Sequence, residues 1–517
     1  MIKNKKLLLL SPALIALMLL LGACGGTDSN GDASSEDRDT LIVAVGGNIN
    51  SMDLHGTNDI ASTQVHRQIF ETLVFQDENM DIHPGLAHDW RLIENSDRVW
   101  EFDLLEDVYF HNGERMTAYD VAFTMDRASR SPHVAAFLDI IDADTIEVID
   151  DNTIRIGTHE PFAPFLSHLA HPSAGIMNEM AVEEAGDDVD REPIGTGPFK
   201  FVSWAAGDRI VIERFDGYHG ESPQMREITF RMISDGQART MAIETGDVDI
   251  ALSPLPVDLT RLEENDNVTV VNRPGLSVAY MGLSDDHEHL SNSLVRQAIS
   301  YAVDNTAIVN AAFEGRSNVA TTPITPDVFG FNPDVEMFPH DVERARELMI
   351  EAGLEDGFSF TITVNSENQQ RVEMATMVRN QLQEINIDAE IHQLDWPTFL
   401  DDADNGRLES FFMGWIATTG DADYALFPSF HSTSINGGGN SSLFANDRVD
   451  ELLELARVST DDNERIEAYH EVQVILREEA PWVLFNRDYV FVAMRNNVRG
   501  FEVQPSQAHF FGNVYFE

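Results

Sequence analysis

The strongest constraint on this 517-residue chain is the way short apolar runs alternate with amphipathic stretches over its length. The clearest series lies at 358–415. Residues 358–364 (FSFTITV) are rich in β-branched and aromatic side chains, as a strand requires. Residues 369–385 repeat apolar side chains at helical spacing, and 387–393 and 409–415 return to the strand pattern. A strand, a helix and a strand in that order form parallel sheet with helices on its faces.

Other segments read in the same way. Residues 40–45 (TLIVAV) form a buried-strand pattern, a helix is expected around 62–73, and strands are expected at 99–104, 108–110, 199–204 and 278–283. Thr117 to Asp120 spells a capping box that opens a helix ending near Arg130. Asp150-Asp151-Asn152 marks a hairpin between 145–149 and 153–157, Gly246 stops a helix, and 489–494 is the last expected strand. The prediction is a mixed α/β chain with its sheets in separate lobes.

The beginning of the chain reads as an address. Lys3, Lys5 and Lys6 precede an apolar run over 7–21, broken by Ser11-Pro12. That run is shorter than the roughly 20 residues a membrane span needs, so it reads as a cleaved export signal. It ends in Leu21-Gly22-Ala23-Cys24, which resembles the bacterial lipobox, whose cysteine becomes a diacylated N-terminus. Cys24 is the only cysteine, so no intramolecular disulfide can form. Residues 25–39 (GGTDSNGDASSEDRD) read as a solvated tether, with the folded body beginning near Thr40.

Charge narrows the partners. The chain has 34 Lys+Arg against 88 Asp+Glu, a formal net charge of -54. Such a surface repels nucleic acid and anionic membranes, and it is tolerable where salt shortens the range of repulsion. After the signal, Lys200 is the only lysine. Arginine keeps its charge in alkali where lysine loses it. Both observations fit a source in salty, alkaline water.

Catalytic and metal signatures are thin. No HExxH, cysteine ligand pair or GxSxG occurs. His287-Glu288-His289 reads as a solvated loop, and Gly437-Gly438-Gly439 lacks the Lys-Ser/Thr of a phosphate loop. Asp401-Asp402 mimics a glycosidase pair, but a chain with 88 acids contains such pairs by chance. No catalytic residue, metal or cofactor is assigned, and a secreted hydrolase stands as the rival of a different class.

Several segments resemble a known family, in family order. They are Ile69 to Val74 (IFETLV), Pro84 to Ala87 followed by Trp90, Phe110 to Gly113 (FHNG) and Thr117 to Phe123 (TAYDVAF). Pro193 to Trp204 (PIGTGPFKFVSW), Ala242 to Ile250 (AIETGDVDI), Val295 to Val303 (VRQAISYAV) and 413–430 complete the set. Together they are similar to extracellular solute-binding proteins of family 5, which serve peptide and nickel importers. The run Gly414 to Tyr424 (GWIATTGDADY) followed by ALFPSFHS is closest to the glutathione-binding-like subgroup.

The resemblance implies a two-lobed type II periplasmic-binding-protein-like clamp with an additional inserted domain. Its division would be 1–23 signal, 24–39 lipid-anchored tether, 40–83 lobe I, 84–192 extra domain, 193–274 lobe I, 275–488 lobe II and 489–517 lobe I. It implies a monomeric substrate-binding lipoprotein, on the outer face of the cell membrane or in a periplasm. It would take a short peptide or glutathione-like tripeptide to the permease of an ATP-driven (ABC) importer. A nickel chelate or other small solute is the alternative ligand.

In dipeptide and oligopeptide binders of this family, an aspartate shortly after the tryptophan pairs with the ligand's amine, and here Thr418 takes that place. Asp421 and Asp423 are nearby candidates, with Thr419, Tyr424 and Trp415 around them. Arg371 is a candidate for a ligand carboxylate, since each charged end of a buried peptide needs a partner. Asp53, after the first strand, and Tyr280 complete the candidate set.

Overall fold

The computed structural model describes residues 38–94, 96–435 and 439–517. The expected export signal, Cys24 and most of the tether lie outside them, as do Gly437 and Gly438. Among the described residues no helix is long and apolar enough to cross a membrane.

One hydrogen-bonded path joins ten strands. Its order is Ile387–Leu394, Phe358–Asn365, Ser410–Ile416, Val268–Leu283, Trp482–Arg495, Ile250–Leu252, Thr40–Val45, Glu227–Met232, Arg209–Arg214 and Phe199–Ala205. A short strand, Asn318–Val319, adds to the side of Trp482–Arg495. The expectation of separate sheets therefore gives way. Residues 278–283 and 489–494, read as short strands, are parts of two long antiparallel strands of 16 and 14 residues that run through both halves.

The register between these two strands shifts twice in succession, between Pro274 and Val278 and again between Val278 and Tyr280. Val268 to Pro274 pair with Arg495 to Tyr489, and pairing resumes at Val278 with Arg487. Pro274 brings no N–H to the ladder and Gly275 no side chain, so the sequence itself loosens the sheet there. A Cβ on Gly275 would stand 3.2 Å from the Asp488 carbonyl, which keeps the strands close at the break.

Separate cores flank the break. Leu41, Phe199, Ile228, Phe230 and Val492 pack on one side. On the other lie Met281, Ile299, Phe360 and Val378, with a further cluster of Tyr280, Phe399, Phe411 and Tyr469. A four-stranded antiparallel sheet, in the order Ala87–Leu92, Val99–Leu104, Thr153–Thr158, Ile141–Asp150, stands apart from the long sheet. Helix Ala118–Ser129, opened by the Thr117/Asp120 capping box, packs on it around Phe102, Val121, Met125 and Ile154.

Local chemistry explains many boundaries. Asp59, Asp235, Asp304, Asp341 and Asp421 each accept a backbone N–H at a helix start, about 1 kcal/mol of support apiece. Gly246 ends its helix in the left-handed conformation at φ 81°. The helix expected to reach residue 73 runs only over Ile60–Ile69, because Phe70 turns extended. Residues 108–110 make a single bridge, Tyr109 to Arg115, rather than a strand. The chain also adds a strand pair, Val498–Arg499 with Tyr515–Phe516, beyond the strand expected to be its last.

Candidate functional site

A cavity of about 310 Å³ opens where three parts of the fold meet. Helix Ile60–Ile69 contributes Ile60, Thr63 and Arg67, and the loop before the last strand contributes Gln504, Ser506 and Gln507. The end of strand Ser410–Ile416 supplies Gly414, Trp415 and Ile416, followed by Thr418 and Tyr424. Phe137 and His171 come from the part built on the four-stranded sheet. A second cavity, of about 260 Å³, shares Gln507 with the first and follows the register break past Leu276, Ser277, Arg371 and Asp488.

The charge of this space opposes that of the whole molecule. In a chain with 88 acids, no carboxylate lines the larger cavity, and its one charged side chain is Arg67. In the second cavity, Arg371 sits near the start of helix Gln369–Leu382, which Asn368 caps through the Arg371 N–H at 3.0 Å. Its guanidinium lies over Gly414, where a Cβ would come within 2.9 Å of Nη2, so the missing side chain makes its room. That guanidinium makes no hydrogen bond or ion pair among the described residues. Burial pulls its pKa down, with Tyr280 and Asp488 as the ionisable groups that oppose this. Burial also raises the Asp488 carboxyl to about 6. A half-buried, partly desolvated cation without a contacting anion is costly, and a ligand carboxylate removes that cost.

The sequence-derived candidates divide. Trp415 and Tyr424 form the cavity wall: the indole N–H donates to the Tyr424 carbonyl at 3.1 Å, and the Tyr424 ring stacks on Phe137 at 5.1 Å. Burial raises the Tyr424 phenol to about 12, so it stays a neutral hydroxyl. Thr418 lines the same wall, its hydroxyl beside Tyr424 but without a well-formed hydrogen bond. Thr419 is buried behind it, its hydroxyl accepting the Asp421 N–H and its carbonyl the Gln76 side chain at 2.7 Å.

The acids go elsewhere. Asp421 is held by Arg465 at 2.7 and 2.9 Å, and Asp423 by Arg457 at 3.1 and 3.2 Å, both nearly fully buried and off the cavity lining. Each has found an internal cation, and this is the physical reason neither faces the cavity. Asp53 likewise pairs with Arg127 at 2.7 and 2.8 Å and accepts the His55 N–H, tying the loop after the first strand to helix Ala118–Ser129. Tyr280 is core, stacked on Trp482 at 3.4 Å. His287 and His289 pack against Phe358. Among the described residues no cluster of three His, Cys, Asp or Glu could hold a metal.

Several lining residues carried no motif. Gln507 adopts φ 66° with its carbonyl gripped by the Gln64 side chain, a strained backbone at the junction of the two cavities. Phe137, His171 and Arg67 reach the site from segments whose pattern is that of ordinary helix and loop.

Residues 81–437 match the family described as bacterial extracellular solute-binding proteins, family 5 Middle. The chain belongs to that family. The family 5 member is 29% identical over 490 residues to a dipeptide-binding protein of Escherichia coli, covering 89% of this chain and 90% of the relative. It is 30% identical over 483 residues to a glutathione-binding protein, GsiB, of Salmonella paratyphi A, covering 92% and 94%. Among solved structures it resembles the periplasmic binding protein DppA of Helicobacter pylori in complex with peptide STSA, with TM-score 0.79, 28% identity and 92% and 98% coverage. The fold is thus the two-lobed type II clamp, and this family 5 protein is a transport binding protein, not an enzyme.

Proposed function

We propose that this protein is the lipid-anchored capture component of an ABC importer and takes up a short peptide or glutathione-like tripeptide by closing its lobes. The carrying observation is a carboxylate-free cavity, lined from three parts of the fold, beside a half-buried arginine without a contacting anion. A peptide carboxylate supplies Arg371 with the partner it lacks, and Trp415 and Tyr424 offer ring and hydroxyl surface to the rest of the ligand. The relatives named for dipeptide and glutathione binding support that ligand class.

The hinge in this reading is the register break at Pro274 to Val278. Lobe I would comprise 40–83, 193–274 and 489–517, lobe II 275–488, and the extra domain 84–192. Ligand touching both lobes favours the closed state by its contacts there. Closure then presents a monomeric, loaded protein to the permease.

The test is titration of purified protein with di- and tripeptides and glutathione, read by native mass spectrometry, with small-angle scattering of each bound state. Stoichiometric binding of an intact peptide with a smaller radius of gyration is expected. Turnover of the peptide, or binding of metal chelates or sugars but no peptide, overturns the reading.

A further inference from the structure

Arg67 lies two turns into helix Ile60–Ile69 and lines the larger cavity. Like Arg371, its guanidinium makes no hydrogen bond or ion pair among the described residues, and burial lowers its pKa. It rests over the Phe75 ring at 5.8 Å. Just past the end of that helix, Glu71 is the nearby acid that opposes the lowering, but its carboxylate is engaged by the Tyr218 hydroxyl at 3.0 Å and His219 Nε2 at 3.0 Å. Glu71 therefore acts on Arg67 only through space, and no anion contacts the guanidinium among the described residues.

The geometry around Arg67 is one-sided. Arg67 also lines a further cavity, of about 440 Å³, whose wall includes Glu71, Asp77, Glu78 and Glu502. Those carboxylates repel an anion from that face. The carboxylate-free cavity of about 310 Å³ is the face on which Arg67 can accept one, and it shares the Gln507 wall with the cavity that Arg371 lines. The two neighbouring cavities therefore each present a guanidinium without a contacting anion, Arg67 from helix Ile60–Ile69 and Arg371 from helix Gln369–Leu382.

We infer that Arg67 is a second anion subsite, so that the preferred ligand is a small peptide carrying two carboxylates rather than a neutral di- or tripeptide. This rests on the peptide reading above and narrows it. Arg67 sets specificity through one charge-assisted contact to the second carboxylate, and the isosteric amide, which lacks the charge, is discriminated against.

The experiment uses the full mature chain and isothermal titration with paired peptides. Glutamate is placed at each position of tri-alanine in turn and compared with glutamine at the same position, with glutathione alongside. At one position or more, the glutamate peptide is expected to bind at least about tenfold tighter than its glutamine twin. In Arg67→Gln that ratio falls toward one, while Arg67→Lys keeps part of it. Equal binding of glutamate and glutamine peptides at every position overturns the inference and leaves peptide capture standing. An Arg67→Gln protein that weakens both twins by the same factor also overturns it. If the variant does not fold, the parent ratios and Arg67→Lys decide. Absence of binding by every peptide overturns the peptide reading, and this inference with it.

Discussion

Arg465 holds Asp421 through one guanidinium nitrogen at 2.7 and 2.9 Å, with both side chains almost wholly buried and the Tyr469 hydroxyl 3.4 Å away. Asp421 also caps helix Ala422–Phe430, whose first residues form the cavity wall at Tyr424. The wall is therefore positioned by an ion pair that lies off the cavity lining.

Removing one partner of such a pair strands the other charge. Asp421→Ala is expected to cost about 3–5 kcal/mol of stability, measured by urea unfolding of residues 40–517. Loss of peptide affinity at unchanged stability would instead make Asp421 a ligand residue.

Arg371 behaves in the opposite way. Arg371→Gln removes a desolvated cation without a contacting anion, so stability is expected to hold or rise. Peptide affinity falls by about ten- to a hundredfold, the range for a hydrogen bond to a charged group, as calorimetric titration would record. Undiminished affinity removes Arg371 from the site.

Asp488 gives that arginine a pH dependence. Its folded-state pKa of about 6 lies above the ordinary 3.8, so it favours folding below the lower value and loses that advantage as pH rises through the higher one. Asp488→Asn should therefore gain stability relative to the parent between about pH 4 and 6 and keep the gain above. Protonation also removes a carboxyl that competes for Arg371, so affinity for a peptide carboxylate rises in the parent as pH falls through about 6. A pH-independent difference between the two proteins contradicts this.

Histidines set acid lability. Burial lowers His55, His66 and His111 to about 4, and His171 and His509 to about 3, against an ordinary 6.5. A lowered folded-state pKa gives stability that is complete above 6.5 and declines as pH falls toward the folded values. Chemical denaturation from pH 7 to 4 should show a progressive loss, and His509→Gln should flatten part of it.

Cys24 carries the proposed anchor. Cys24→Ser is expected to move the protein from the membrane fraction into the medium, because two acyl chains hold where none is attached. Continued membrane retention refutes the lipid assignment.

Much of the fold was legible because local chemistry marks it. The 358–415 series, the capping box at Thr117 and the stop at Gly246 appear where period, cap and glycine place them. The merging of two short strands into the long pair was not, since sheet continuity depends on partners about 210 residues apart in the chain. The site was half legible. Trp415, Thr418, Tyr424 and Arg371 line its cavities, while Asp421 and Asp423 were drawn away by Arg465 and Arg457, partners that no local pattern predicts. Arg67, Phe137 and Gln507 reach the site only through tertiary folding.

The long strand pair has a thermodynamic corollary. Val268–Leu283 and Trp482–Arg495 donate hydrogen bonds to the ladders of both halves, so neither half can melt without stripping edges from the other. Calorimetry should record one cooperative transition for the two together. The four-stranded sheet, which shares no ladder with them, is the piece free to melt at a temperature of its own.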